Sequence, residues 1–135
     1  MAKEIIATPP GVFDAATKGW KYSNAVKAGN TVYLAGQVAL DVEGNVVGKG
    51  DYEAQLRQIL ENIKRILEAA GSKMTDIVWI QWLCKDIRQG LLNRSFPVYE
   101  EYFGDYHPPG TVIQISGLGD PDLKLEVQVI AVIDD

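Results

Sequence analysis

Apolar and polar positions along the chain change period several times, and each change marks an element. Glu4–Ala7 alternates as a short strand stopped by Thr8-Pro9-Pro10-Gly11. Ala25–Ala28 and Thr31–Val38 read as two strands joined by a hairpin-like turn at Gly29-Asn30, and Gly44-Asn45 turns the chain again. From Asp51 to Ala70 the period becomes helical. Leu56, Ile59, Leu60, Ile63, Ile66, Leu67 and Ala70 recur at three- and four-residue steps, with Asp51 as N-cap and Gly71 as stop. Glu53 with Arg57 and Glu61 with Arg65 stand at i,i+4 on the outer face and predict two solvated ion pairs.

Asp76–Cys84, rich in Ile, Val and Trp, predicts a longer strand in which Trp79 and Trp82 point to opposite faces, with Lys85-Asp86 closing it. Pro97 cannot sit inside a helix, so a second helix starts near Ser95, carries Tyr99, Tyr102 and Phe103, and stops at Gly104; Leu91-Leu92 form an extra turn before it. Thr111–Ser116 and Leu123–Ile133 are the last strands, separated by the turn Gly119-Asp120-Pro121-Asp122. About six strands and two helices predict an α+β domain over residues 1–135, one sheet with both helices on one face. In the last strand Leu123, Leu125, Val127, Val129 and Ala131 form one row. The alternate row, Lys124, Glu126, Gln128, Ile130 and Val132, mixes aliphatic and polar groups, which suits a subunit interface better than water or a monomer core.

Composition narrows the function. With 135 residues and 47% hydrophobic positions the chain has material for one core, and no stretch approaches the ~20 apolar residues of a membrane span. A soluble, cytoplasmic protein is expected, without membrane partners. The single Cys84 has no intramolecular disulfide partner and lies in an apolar run. A net charge of -5 and no basic cluster longer than two residues weigh against nucleic-acid binding, which draws its affinity from Lys and Arg on phosphates. RNA cleavage is disfavoured on the same ground. His107, the only histidine, stands in a proline loop with no Cys or His beside it and predicts no metal site. Phosphate-cradling glycine loops and nucleophile elbows are absent; Gly117-Leu118-Gly119 is a turn.

The run Tyr22-Ser-Asn-Ala-Val-Lys-Ala-Gly-Asn-Thr-Val-Tyr-Leu-Ala-Gly-Gln37 resembles the Rid/YjgF family. So do Gln55 and Asn62, Leu67-Glu-Ala-Ala-Gly71, Lys85-Asp86, Tyr99-Glu100, Phe103, Pro108 and Leu125-Glu-Val127. The resemblance implies a chorismate-mutase-like fold and a homotrimer whose clefts between subunits bind a small molecule. It also implies hydrolysis of enamines and imines to a keto acid and ammonia, with no metal or organic cofactor.

Carried over residue by residue, the resemblance makes Glu126 the catalytic group that holds the water, with Tyr22 and Gln37 on the pocket wall. It expects a substrate-anchoring arginine in a Pro-x-Arg-Ser/Thr motif. Here the motif reads Pro108-Pro109-Gly110-Thr111, so Gly110 takes the arginine position and Thr111 keeps the hydroxyl. Phe96 stands where an asparagine is often found, and Ala35 replaces a serine. Gly110, Thr111 and Phe96 are therefore expected to line a pocket of altered specificity or reduced activity. Arg94 or Arg88 is a substitute anchor. A trimer that binds a metabolite or partner protein without catalysis is the alternative.

Overall fold

A computed structural model of the chain describes residues 2–134. Six strands, β1 (Lys3–Ile6), β2 (Ala25–Ala28), β3 (Thr31–Leu34), β4 (Ile77–Cys84), β5 (Gly110–Gln114) and β6 (Leu125–Val132), form one sheet in the order β1-β2-β3-β6-β4-β5. Every pairing is antiparallel except β4 with β5. The helices are α1 (Tyr52–Ala69), a single turn α2 (Ile87–Gly90) and α3 (Pro97–Phe103). The α+β class and the single six-stranded sheet agree with the sequence reading. The extra turn falls at Ile87–Gly90, before Leu91-Leu92, because Asp86 caps it by accepting from the Arg88 amide.

The core lies between the sheet and α1 and α3. Leu56, Ile59, Leu60, Ile63, Ile66 and Leu67 are fully buried, and so are Leu125, Val127, Val129 and Ala131 of β6. The predicted periodicities of 3.6 and 2 thus meet face to face, and each buried aliphatic side chain contributes about 1.5–3 kcal/mol. Asp51 caps α1 by accepting from Ala54 N, and Gly71 follows the helix at φ +81°. Pro97 opens α3 as its first residue, two positions later than Ser95.

Two polar side chains of α1 fasten loops to this frame. Gln55 donates to the Gly48 and Asp122 carbonyls and accepts from Lys124 N, fixing the chain as it enters β6. Asn62 donates to the Val38 and Leu40 carbonyls. Of the two predicted pairs on α1 only Arg65–Glu61 forms. Arg57 turns from Glu53 to Glu101 of α3, because helix packing brings a second carboxylate within bidentate reach.

The strand expected over Thr31–Val38 stops at Leu34. Ala35 N bonds back to Asn24 O, and pairing resumes only at Gln37, which exchanges both backbone hydrogen bonds with Val127 of β6. Gly36 lies at the kink, where a Cβ would stand 2.3 Å from Oε2 of Glu126. The broken strand and the carboxylate on the neighbouring strand occupy each other's space.

The sheet face turned away from the helices is open. Tyr33, Val78, Ile113 and Val132 are each at least 37% exposed on it, beside Gln81, Gln128 and Thr111. The mixed row predicted for β6 is this face.

Candidate functional site

Two clefts divide the predicted residues. The larger, about 530 Å3, is bounded by Phe13, Trp20, Tyr22, Gly36, Val38 and Glu126. Asn62 holds the floor by gripping Val38 and Leu40. Glu126 projects into this cleft from β6 and has no ion-pair partner among the described residues. Loss of hydration on burial raises its carboxyl above the usual carboxylate range. Tyr22 is half exposed at the rim, and its hydroxyl is pushed up by burial first and by the Glu126 charge second.

Gln37 sits behind that wall. Its Nε2 donates to Asn24 Oδ1 at 3.1 Å and to Ala35 O at 3.2 Å, while Asn24 Nδ2 donates to Thr8 Oγ1 and Phe13 O. These buried bonds tie the Phe13 and Tyr22 segments to the break after β3. Gln37 thus borders a small recess beside Tyr22 and acts on the larger cleft by holding its wall.

Gly110 and Thr111 are elsewhere. They line a second cleft of about 200 Å3 at the β5 edge with Trp82, Asn93, Arg94 and Val112. Glu126 is two strands from β5 and three residues out of register with Gly110, which puts the two about 14 Å apart. Within one protomer the sheet does not bring the predicted catalytic and anchoring positions together.

Gly110 fits closely. A Cβ there would stand 1.6 Å from the Ile80 carbonyl oxygen, so any other residue meets the backbone of β4. Of the two substitute arginines, Arg94 lines this cleft and donates to Pro108 O; Arg88 is spent on Asp86 at the surface. Phe96, expected to line a pocket, borders neither cleft. It packs against the core and stacks on Tyr52 at a centroid distance of 5.7 Å, because it precedes Pro97 and its ring turns inward at the start of α3. His107 is exposed but stacks on Tyr99, with Nδ1 3.4 Å from that hydroxyl. Trp82 is buried against Tyr99, whereas Trp79 lies half-buried after a bulge in β4. Among the described residues no three His, Cys, Asp or Glu side chains are placed to hold a metal ion, and no helix is long and apolar enough to cross a membrane.

Sequence reasoning missed Gly36 and Asn93. Gly36 was legible only as a letter of the Tyr22–Gln37 run. Asn93 carried no local signal, since its role arises from contacts with Tyr52, 41 residues away.

Residues 14–133 match the family model described as Endoribonuclease L-PSP. The chain belongs to this family, the Rid/YjgF family. It is 36% identical over 135 residues to the 3-aminoacrylate deaminase RutC of Acinetobacter baylyi, covering 97% of this chain and 98% of that one. A 2-iminobutanoate/2-iminopropanoate deaminase of Dermatophagoides farinae is 31% identical, covering 98% of each. Among solved structures, E. coli TdcF with bound serine superposes with a TM-score of 0.82 at 27% identity, over 97% of this chain and 99% of that one. The Rid/YjgF fold, with its single mixed sheet, is the fold of this protein.

Proposed function

We propose that the protein hydrolyses a small enamine or imine to a carbonyl compound and ammonia, with Glu126 as the base. The observation that carries this reading is the Glu126 carboxylate itself: desolvated, free of any cation and laid over Gly36 inside a cleft rimmed by Tyr22. A carboxylate with a raised pKa is a stronger base than one in water. In the imine tautomer, water attacks the C=N carbon as Glu126 takes its proton. The nitrogen is then protonated, the C–N bond breaks to expel ammonia, and the remaining hydroxyl becomes the carbonyl. Relatives named as 3-aminoacrylate and 2-iminobutanoate/2-iminopropanoate deaminases support this chemistry, which calls for no metal or organic cofactor.

The working form is a homotrimer in the cytoplasm, in which each cleft lies against a neighbouring copy. The exposed Tyr33, Ile113 and Val132 support burial of the open sheet face in such an assembly. Size-exclusion chromatography with light scattering is expected to give three times the 14.9 kDa protomer mass. Ammonia release from a panel of enamines and imines tests the reaction. Glu126→Gln is expected to lower the rate by about 100-fold or more, the usual contribution of a positioned base. No release from any of the panel, or an unchanged rate in the variant, refutes it.

A second reading is favoured by Gly110: a trimer that binds a metabolite without converting it. It predicts thermal stabilisation by ligands with no turnover.

A further inference from the structure

The cleft in front of Glu126 carries more aromatic surface than the reaction above uses. Phe13, Trp20 and Tyr22 come from one short segment and border the same space, and none of the three stacks on another ring among the described residues. Trp20 is 62% exposed, so most of a large apolar side chain faces water. Local structure holds it there. Asp14 caps the single turn Ala15–Lys18 by accepting from Ala16 N, Gly19 ends that turn at φ +82°, and Trp20 N donates back to Ala15 O at 3.1 Å. Phe13 is held as firmly. Asn24 Nδ2 donates to its carbonyl, and its ring lies where a Cβ on Gly44 would come within 2.8 Å. The rim therefore presents fixed ring faces to whatever enters.

The charge of the lining is the wrong sign for an anion. Glu43, Asp120 and Glu126 border the cleft against Lys18 alone, and no salt bridge among the described residues ties up any of the four. Lys18 is an exposed point charge on a flexible stem, without the fork that grips a carboxylate from two sides. The β5 edge that the proposed trimer sets against this cleft brings Gly110 where an arginine would stand, and its Arg94 is turned to Pro108 O and the Tyr99 hydroxyl. A carboxylate entering here meets like charges. A cation meets carboxylates and aromatic faces, both of which attract it.

We propose that this cleft takes protonated imines that carry an aryl group and no carboxylate, with the aryl ring against Trp20 and the cationic C=N group toward Glu126. The proposal rests on the deaminase reading and deepens it by naming the substrate class and Trp20 as the residue that selects it. About 530 Å3 lies in the range that admits such a molecule. Water adds to the iminium carbon, the C=N electron pair returns to nitrogen, and Glu126 takes the proton of the water. That proton passes to nitrogen, the C–N bond breaks with its pair leaving on ammonia, and the hydroxyl proton goes to the ammonia as the carbonyl forms. An iminium and water thus become a carbonyl compound and ammonium.

Phenylacetamidine, a stable cation with the shape of the imine of phenylacetaldehyde, tests the site by isothermal titration of the intact protein. It is expected to bind at least about tenfold more tightly than phenylacetate, which reverses the charge, and than acetamidine, which lacks the ring. Trp20→Ala is expected to weaken phenylacetamidine about tenfold and Trp20→Phe to recover part of the loss, with thermal unfolding confirming that each variant is folded. Equal or tighter binding of phenylacetate, or full affinity in Trp20→Ala, overturns the proposal. Turnover separates it from the reading beneath it, using the imines that flavin amine oxidases release from 2-phenylethylamine and from phenylalanine. If phenylacetamidine binding depends on Trp20 but neither imine is hydrolysed faster with the protein than without it, the ligand class stands and the reaction fails. If both are hydrolysed, with loss in Glu126→Gln, and the carboxylate-bearing imine has the equal or higher kcat/KM, the reaction stands and the ligand class fails.

Discussion

Replacing Gly110 by alanine adds one methyl group, and the structure says where it goes. The new Cβ would lie 1.6 Å from the Ile80 carbonyl oxygen, 2.6 Å from its carbon and 3.0 Å from Ile80 N. All three are backbone atoms of a central strand, so no side chain can swing aside to make room. Ordinary contact begins near 3.4 Å, and β5 must therefore withdraw by about 2 Å. The bond from Ile80 N to Pro109 O, 3.0 Å long, does not survive such a shift.

Ile80 is fully buried, so its amide is left without water as well as without a partner. Losing the bond and stranding the donor together cost about 2–4 kcal/mol, a large part of the roughly 5–15 kcal/mol that holds a domain folded. The expected fall in Tm is on the order of 10 °C by calorimetry, with variant and parent at the same protein concentration because assembly also stabilises. Gly110→Arg carries the same Cβ and is expected to lose at least as much, without gaining turnover of 2-imino acids. A Gly110→Ala protein within a degree or two of the parent refutes the reasoning. So does a stable Gly110→Arg with raised activity.

Three further substitutions test the larger cleft. Gly36→Ala puts a methyl 2.3 Å from Glu126 Oε2, the movable end of a side chain, so Tm is expected to change little while kcat/KM falls toward that of Glu126→Gln; equal activity with the parent would show that Glu126 is not positioned by Gly36. Gln37→Leu removes one buried and one part-buried hydrogen bond and strands Asn24 Oδ1, with an expected loss of about 1–3 kcal/mol in urea unfolding. Glu126→Gln also alters the pH dependence of stability. The native carboxyl holds its proton more tightly than the unfolded one, so its contribution to stability declines as pH climbs above the unfolded value of 4.5 and the penalty is complete above the raised native pKa. The variant is expected to melt higher than the parent at pH 8 and level with it at pH 4; the reverse order would contradict a raised pKa.

What the sequence made legible follows from the range of the forces involved. Helix α1 and the buried row of β6 are local patterns with the period of their own backbone, and both form where the pattern puts them. The break after Leu34 was not legible, because Gly36 is required by a glutamate ninety positions later in the chain. Arg57 chose Glu101 over Glu53 for a similar reason: the i,i+4 rule knows only its own helix. Turn α2 is too short to show a period. It depends on the Asp86 cap and on Gly90, where a Cβ would press within 2.6 Å of Cys84 Sγ. Tyr22 and Glu126, which the resemblance expects at a pocket, do border one cleft, and Gln37 lies behind its wall. The buried place of Asn93 depends on its tertiary contact with Tyr52.

The same distinction bears on how the two clefts are used. Glu126 and Gly110 are about 14 Å apart on one sheet, farther than a metabolite of three or four carbons can reach. A metabolite of that size lying against Glu126 therefore cannot also touch Gly110 of the same protomer. The clefts can serve one reaction only if the β5 edge of one copy meets the Tyr22 wall of the next. The open face between them, with Ile113 on β5 and Tyr33 on β3 exposed, leaves the surface for that contact unfilled. In the proposed trimer, then, assembly does more than bury apolar area: it brings the β5 edge of one copy to the Glu126 cleft of the next. A protomer kept monomeric by a charge at Ile113 is expected to stay folded by thermal unfolding and to release no ammonia.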